Sequence, residues 1–448
     1  MRWLILALGM TGMVAMSPAG AKPRVVAKPV VLAETPALQG LRRAFHYGFP
    51  VYEIMRTRAR AVAQGGVNRL VARKTLADAT SREVTTPNND TLYASAWLDL
   101  SNGPVTLTVP DLGDRYNSAA LMNVFGDNIA VLGSSSGGGG QYTIVGPGWT
   151  GKAPEAGTLV RATSNDAWLL VRVYVNGPND LAASGADIDK FTLGGGAAPV
   201  PTRAVPSAVP DARTFLAVVD EALGRSSIGG RSGEFAAQGI KPGAADAFAT
   251  LPPATQRLWI AALPKFRREL RDGLAKAGTV AGGWSTPGPG IGEFGDGNDA
   301  ARAAVALGGL GALPRREAVY YTATQDADGQ PLDGSKHAYT MHIPPKPPAG
   351  AFWSLTMYTV EPDGRLFFFA NPLNRFSIGS GLRSTHYERD ASLDIFVQTG
   401  KPSGERVVNW LPAPPGPFRL VWRAYLPKPE LLDGSFKLPA VAVTEAVE

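Results

Sequence analysis

Two long stretches of this chain alternate apolar and polar residues with a period of two, and this alternation constrains the fold more than any other feature. In residues 85–190 the alternation is clean at 105–109 and 142–145, and a longer, nearly continuous apolar run covers 168–175. Successive side chains of a strand point to opposite faces of a sheet, so this pattern predicts strands with a buried face. Gly-, Asn- and Asp-rich turns separate the segments. We therefore predict an antiparallel β-sandwich, preceded by a helix, as an N-terminal domain spanning 36–190.

The same alternation returns in residues 313–445. The segments at 337–343, 352–358, 393–398 and 418–425 alternate, and Asp-Gly pairs beside them are typical of hairpins or bends. This strand spacing predicts a second β domain, a jelly-roll-like β-sandwich at the C-terminus.

Helical periodicity occurs before and between these two β blocks. Residues 36–64 carry an apolar stripe at spacings of three and four, and Pro50 within them predicts either two helices or a kink. Residues 191–210 are rich in Gly and Pro and are predicted to form a linker. Residues 211–312 are predicted to be a helical segment, with one helix starting near Pro264 and another running from the capping residue Asn298 to the Gly308-Gly309 stop. The fold class predicted overall is mainly β with a helical insert.

The first 21 residues have the pattern of a cleavable secretory signal. A positive Arg2 precedes an apolar run at 3–16, and small residues end at Ala21. An uncleaved anchor is the alternative, but the apolar run is short for a bilayer, and cleavage after Ala21 is favoured. No later stretch approaches about 18 apolar residues, so no integral membrane segment is expected after cleavage. The sequence predicts a periplasmic or secreted protein.

The absence of cysteine limits the chemistry that this chain could perform. No disulfide, thiolate nucleophile or cysteine zinc site can form among 448 residues that contain no Cys and only four His. His337 and His342 lie five apart on a predicted strand and therefore point to opposite faces. The Gly-rich motif at 290–295 lacks the preceding strand of a dinucleotide site. We predict no metal and no cofactor.

The net charge of +6 does not indicate a nucleic-acid partner. It results from 44 basic and 38 acidic residues spread along the chain, without a block of like charges. The sequence leaves homo-oligomerisation open.

Polar residues concentrate in a few segments of an otherwise apolar strand pattern. Amides beside an acid, an arginine and aromatic residues suit the recognition of hydroxyl- or carboxylate-bearing ligands. We therefore hypothesise one polar cleft at the domain junction. The alternative is two separate sets of turn caps, each bonded to its own backbone. The predicted ligand-binding residues are Asn88, Asn89, Asp90, Tyr93, Asn371, Asn374, Arg375 and Trp410.

Several ordered blocks resemble a known pair of bacterial domains. The segments at 47–56, 87–93, 96–100 and 144–149 resemble the domain of unknown function 1254. Those at 323–334, 351–358, 371–375, 409–414 and 422–428 resemble its usual C-terminal partner, the domain of unknown function 1214. The resemblance covers most of residues 38–440. It implies an N-terminal sandwich, a small helical insert and a C-terminal jelly-roll domain, and it carries over no reaction and no catalytic residue.

Two functional classes remain for such a chain. The first is the binding of a small polar or glycan-like envelope ligand at the junction of the two β domains. The second is a cofactor-independent hydrolase or lyase that uses carboxylates, with Asp90 as the candidate catalytic group. A paired-carboxylate mechanism needs a second acid, for which Glu53 and Asp99 are the candidates. The sequence leaves open whether the protein is an enzyme.

Overall fold

The described structure begins with one long helix. The computed structural model describes residues 32–82, 85–226, 230–274, 279–361, 364–381 and 385–444, so the predicted signal peptide lies outside the described residues. Helix α1 (Pro36–Gly65) starts at Thr35, whose Oγ1 accepts a hydrogen bond from the Leu38 amide at 3.2 Å. The helix continues through Pro50, so the two-helix alternative is wrong. An internal proline costs about 3 kcal/mol, which the burial of Phe49, Val51 and their neighbours offsets.

The predicted N-terminal β-sandwich follows α1 and has two sheets. The inner N-terminal sheet has the strand order β1-β2-β8-β4-β5, and the outer N-terminal sheet has the order β7-β6-β3-β9. Leu92 and Leu169 of the inner sheet pack with Leu107 and Ile144 of the outer sheet to form the core between them. The elements are β1 (Val71–Arg73), β2 (Thr91–Asp99), β3 (Val105–Val109), β4 (Asn117–Met122), β5 (Asn128–Gly133), β6 (Gly140–Val145), β7 (Thr158–Arg161), β8 (Asp166–Tyr174), α2 (Leu181–Ile188) and β9 (Thr192–Gly195).

This sandwich differs from the prediction in two details. Strand β7 pairs with β6 in parallel, so the prediction of purely antiparallel pairing is wrong there. Strand β9 pairs with β3, although its residues fall within the predicted linker at 191–210. A strand of four residues that includes two glycines lacks the apolar alternation by which strands are recognised.

The middle of the chain is helical and adds a hairpin to the second β domain. Its elements are α3 (Ala212–Ser226), α4 (Pro253–Leu274), β10 (Thr279–Ala281), β11 (Trp284–Thr286) and α5 (Asp299–Gly308). Helix α4 begins at Pro253 and contains Pro264, so the predicted start near Pro264 is wrong. Proline is common at the first helical position, and in this helix that position is occupied by Pro253. Helix α5 follows Asn298 and ends at Gly308, as predicted.

The C-terminal domain is a second β-sandwich. The inner C-terminal sheet has the order β10-β11-β12-β19-β14-β15, with β16 also paired to β14, and the outer C-terminal sheet has the order β18-β17-β13-β20. Leu355 and Trp422 of the inner sheet pack against Met341 and Ile395 of the outer sheet. The elements are β12 (Ala318–Ala323), β13 (Ala338–Ile343), β14 (Trp353–Val360), β15 (Leu366–Phe367), β16 (Ser377–Gly379), β17 (Leu393–Gln398), β18 (Trp410–Pro412), β19 (Phe418–Tyr425), α6 (Pro429–Leu432) and β20 (Ala442–Thr444).

The two inner sheets contact each other, and we call this contact the junction. The rings of Tyr174 on β8 and Phe352 beside β14 stack with centroids 3.9 Å apart. The Tyr116 hydroxyl donates to Glu317 Oε1 at 2.7 Å, which also links the two domains. The predicted mainly β class is confirmed, and both sandwiches lie within one compact unit that begins at Glu34. Of the helices in the described ranges, none has the length and apolarity of a membrane-spanning segment.

Candidate functional site

Asp90 lies at the junction because a short turn places it there. The side chain of Asn88 accepts a hydrogen bond from the Asp90 amide at 2.8 Å, which folds the segment back just before β2 begins. Two hydroxyls of the C-terminal domain then meet the carboxylate. Ser354 Oγ donates to Oδ2 at 2.6 Å, and Ser377 Oγ donates to Oδ1 at 3.2 Å. The acid of one domain is therefore held by hydroxyls of the other.

Burial makes Asp90 a weaker acid than an exposed aspartate. Only 8% of its surface is accessible, and this desolvation raises the pKa of its carboxyl group above the ordinary value. The charge of Arg423 and the two serine hydroxyls act in the opposite direction without cancelling the effect. Asp90 can therefore hold or give up a proton closer to neutral pH than most aspartates can.

Two buried arginines lie at the same junction. Arg423 on β19 donates to Thr356 Oγ1 at 2.9 Å and to the Tyr358 hydroxyl at 2.8 Å. Arg172 on β8 donates to the Gly311 carbonyl at 2.7 Å, and its guanidinium lies 5.6 Å from the ring centroid of Tyr93. Burial of both side chains is nearly complete, with 5% of Arg172 and 4% of Arg423 accessible. The junction therefore contains a charged layer between two sheets whose other faces pack on apolar cores.

Asn88 and Asn89 also reach the C-terminal domain, and Tyr93 interacts electrostatically with Tyr320 and Tyr425 of that domain. Asn88 Nδ2 donates to the Tyr425 hydroxyl at 2.8 Å, and Ser377 Oγ lies 3.3 Å from Asn89 Oδ1. The structure thus places Asn88, Asn89 and Asp90 at the junction. Whether a ligand binds there remains a prediction.

The second predicted cluster bonds to its own loop. Asn371 Nδ2 donates to the carbonyls of Phe369 and Arg375, and its Oδ1 accepts from the amides of Leu373 and Arg375. Asn374 is exposed and has a positive φ of 46°, which places it at the tip of the turn. Within the described residues these asparagines fit the turn-cap alternative.

Arg375 and Trp410 also bond within the C-terminal domain. Arg375 Nη1 donates to the carbonyls of Val408 at 2.8 Å and Trp410 at 2.9 Å, and Trp410 Nε1 donates to the Gln398 carbonyl at 2.9 Å. The link between the two predicted clusters runs instead through Ser377, two residues beyond Arg375. In the described structure, the Arg375 guanidinium donates to backbone carbonyls and not to Asp90.

The acids suggested as partners of Asp90 are engaged elsewhere. Glu53 accepts a hydrogen bond from Arg56 Nε at 2.9 Å on α1, and Asp99 forms an ion pair with Arg225 at 2.9 Å. Neither acid is hydrogen-bonded to Asp90 in the described ranges, so the suggested pairings are not supported. In the same ranges, no three His, Asp or Glu side chains are grouped as a metal ion would require.

Sequence reasoning missed the groups that contact Asp90, namely Ser354, Ser377 and the charge of Arg423. A weak signal existed for one arginine. Arg172 interrupts the apolar run of β8, and a polar residue at a buried strand position usually has a specific partner. That Arg423 and Tyr425 share one face of β19 was apparent from their spacing, but the sheet that this face contacts was not.

Similarity to solved structures supports the fold. The chain is similar to the crystal structure of the VPA0106 protein from Vibrio parahaemolyticus, with 24% identity and a TM-score of 0.70 over 91% of this chain and 100% of that chain. This likeness extends to the fold alone. The crystal structure described as "a putative uncharacterized protein from Burkholderia cenocepacia" matches with 13% identity and a TM-score of 0.46 over 91% of this chain and 93% of that chain. No curated protein is similar enough to count as a match.

Two family models match the chain in the order that the sequence blocks predicted. Residues 67–193 match the model described as "Protein of unknown function (DUF1254)", which covers most of the first sandwich. Residues 317–429 match the model described as "Protein of unknown function (DUF1214)", which covers most of the second. The chain therefore combines an N-terminal domain of the family DUF1254 with a C-terminal domain of the family DUF1214.

Proposed function

We propose that the protein binds a small polar, glycan-like molecule at the junction of its two β domains, with Asp90 as the central polar group. The observation that carries this proposal is the position of Asp90, which is buried between the domains and bonded to Ser354 and Ser377 of the opposite domain. An acid held by two hydroxyls offers both donors and acceptors to a hydroxyl-rich ligand. Ligand sites are commonly found at domain interfaces, with a few polar groups among aromatic walls.

The pattern of exposure favours an opening near these residues. Burial raises the pKa of the Tyr320 phenol, yet Tyr320 retains accessible surface, as does Tyr93 on the facing sheet. Asn88 and Asn89 are also partly accessible, although both bond across the junction. Side chains that lie between two sheets and still keep accessible surface are expected to line a cleft. The tyrosine rings would supply the aromatic wall on which a sugar ring packs.

The test is a binding screen of the purified protein. Thermal-shift measurements against monosaccharides, sugar acids and small organic acids would find ligands, and calorimetry would give their affinities. Asp90→Asn is expected to weaken the binding of a true ligand by at least about tenfold, because the buried carboxylate hydrogen bond is lost. Asp394→Asn is the matched control, since Asp394 pairs with exposed His342 on the outer C-terminal sheet. Ligands whose affinity is equal in wild type and Asp90→Asn would contradict the proposal.

A second function is favoured by the raised pKa of Asp90. A carboxyl group that keeps its proton nearer neutral pH is suited to general acid catalysis, as in a cofactor-independent hydrolase or lyase. Mass spectrometry of each bound compound after incubation would separate the two functions. Consumption of the compound by wild type, lost in Asp90→Asn and kept in Asp394→Asn, would identify an enzyme. Unchanged compound would leave binding as the function.

A further inference from the structure

The two inner sheets present the same row of three residue types to the junction. On the N-terminal side, Arg172 lies between Tyr93 on one neighbouring strand and Ser118 on the other. On the C-terminal side, Arg423 lies between Tyr320 and Ser354 in the same way. Residues directly opposite each other on adjacent strands share a face of the sheet, so each row is a Tyr-Arg-Ser surface.

Both rows take part in the junction. Ser354 donates to Asp90, and Arg423 Nη2 lies 3.3 Å from the Thr86 carbonyl, so the C-terminal row contacts the N-terminal domain. Arg172 interacts electrostatically with Tyr320 and Tyr425 of the inner C-terminal sheet. The two guanidinium groups therefore lie within one interface.

The positive charge of these two arginines is only partly offset by negatively charged groups nearby. In the described part of the chain, Arg172 and Arg423 donate to neutral carbonyl and hydroxyl oxygens, and the buried Nη1 of Arg172 has no hydrogen-bond partner. Glu317 is the second acid of the junction, and its Oε2 is likewise buried without a partner. A water molecule could satisfy one of these hydrogen bonds, but it would not offset the charge of a buried guanidinium.

The remaining donors are suited to an anion. Tyr425 accepts a hydrogen bond from Asn88, which leaves its own phenolic proton for another acceptor. Burial raises the pKa of Tyr425 well above that of an exposed tyrosine, so this group stays a neutral donor. Burial raises the pKa of Asp90, so this carboxyl group offsets less of the arginine charge than an exposed aspartate would, and the two guanidinium groups leave room for one further negative charge at most. A monoanion therefore suits the site better than a dianion.

We propose that the ligand of the junction carries a carboxylate, which Arg172 and Arg423 bind from opposite sides. This inference rests on the proposed function, because it assigns a chemical class to the ligand of the same site. The carboxylate would accept hydrogen bonds from the unpartnered Nη1 of Arg172 and from the phenol of Tyr425. Guanidinium groups bind carboxylates through several N–H donors, which gives geometric as well as electrostatic selectivity.

The test compares acids with their neutral amides. D-glucuronate is paired with D-glucuronamide, benzoate with benzamide and lactate with lactamide, and each affinity is measured by calorimetry on the full-length purified protein. At least one acid is expected to bind about tenfold or more tightly than its amide, as the loss of charge-assisted hydrogen bonds predicts. Arg172→Met should abolish this preference, and Arg172→Lys should retain part of it. Circular dichroism and melting temperature would show whether each variant is folded.

The outcomes separate this inference from the proposed function. Amides or neutral sugars that bind as tightly as the acids, with binding lost in Asp90→Asn, would overturn the carboxylate assignment and leave the proposed function standing. If no compound binds in a way that depends on Asp90, both are overturned. If Arg172→Met does not fold, the acid–amide comparison on wild type and the Arg172→Lys affinity still decide the question.

Discussion

Ser354 Oγ lies 2.6 Å from Asp90 Oδ2 and joins the two domains across 264 residues of sequence. A hydrogen bond to a carboxylate inside a protein stabilises the folded state by about 1–3 kcal/mol. Ser354→Ala is therefore expected to lower the free energy of unfolding by about this amount, measured by urea denaturation.

Ser335→Ala is the control for that measurement. Ser335 Oγ donates to Asp333 Oδ1 at the same distance of 2.6 Å, but in an exposed turn. We expect this variant to lower the free energy of unfolding by less than about 0.5 kcal/mol, because surface substitutions away from special features have small effects on stability. Equal effects of the two substitutions would mean that the contact between Ser354 and Asp90 does not bind the domains together.

Asp220 on α3 is predicted to make the free energy of unfolding depend on pH. Asp220 is fully buried, its Oδ1 accepts from the Lys241 amide at 2.7 Å, and burial raises the pKa of its carboxyl group from 3.8 to about 8. A group whose pKa is higher in the folded than in the unfolded state stabilises the fold fully below its unfolded pKa. That contribution is lost as the pH rises from about 4 through about 8.

The free energy of unfolding of the wild type should consequently fall more steeply over this range than that of Asp220→Asn. Chemical denaturation at pH 5, 6.5 and 8 would measure the difference. Asp246→Asn, at a more exposed acid that pairs with Arg213, should follow the wild type. Parallel curves for wild type and Asp220→Asn would refute the prediction.

Arg225 is predicted to be among the most costly charges to remove. It forms ion pairs with Asp99 at 2.9 Å and Asp166 at 2.8 Å, and Asp166 is also paired with Arg58 at 3.1 Å. Arg225→Met would leave Asp99 buried without its cation, and breaking a buried pair from one side costs about 3–5 kcal/mol. Urea denaturation of this variant against wild type measures the loss.

Lys74→Met provides the comparison for Arg225. Lys74 pairs with Asp189, and both side chains are about half exposed. Exposed pairs contribute about 0–1 kcal/mol, so this variant should unfold at nearly the wild-type urea concentration. If Arg225→Met lowered the free energy of unfolding no more than Lys74→Met does, the buried ion pairs of Arg225 would contribute little to stability.

The predicted export of the protein, with cleavage of its first 21 residues, can be tested by measuring its intact mass. If residues 1–21 are a cleaved signal, protein isolated from the periplasm or medium of a bacterial host should have an intact mass that begins at Lys22. Soluble protein whose mass still includes Met1 to Ala21 would contradict this prediction.

The strands were largely predictable from the sequence, because a half-buried strand has a direct signature. Both sandwiches and helix α5 appear where alternation and capping residues placed them. Pro50 and Pro264 misled the prediction of helices, since each lies inside a helix whose apolar stripe continues on both sides. Local propensity favours an end at proline, and tertiary packing outweighed it in both cases.

The site was only half predictable for a related reason. Asn88, Asn89 and Asp90 stand out as a run of polar residues, and they do reach the other domain. Their partners Ser354 and Ser377 are ordinary serines within or beside strands, and nothing local distinguishes them from solvent-facing serines. Pairing between residues 264 and 287 positions apart depends on how two sheets dock, which a single sequence does not encode in any local pattern.

The shared charged layer has a consequence for how this protein can be divided. Sequence families split the chain into two modules, but each module alone would bring a guanidinium, a carboxyl group and several tyrosines into water at the centre of a broad sheet face. Such a face is neither apolar enough to form a new core nor polar enough to be an ordinary surface. Recombining a first half from one relative with a second half from another should therefore succeed only when the two halves have changed together at these positions.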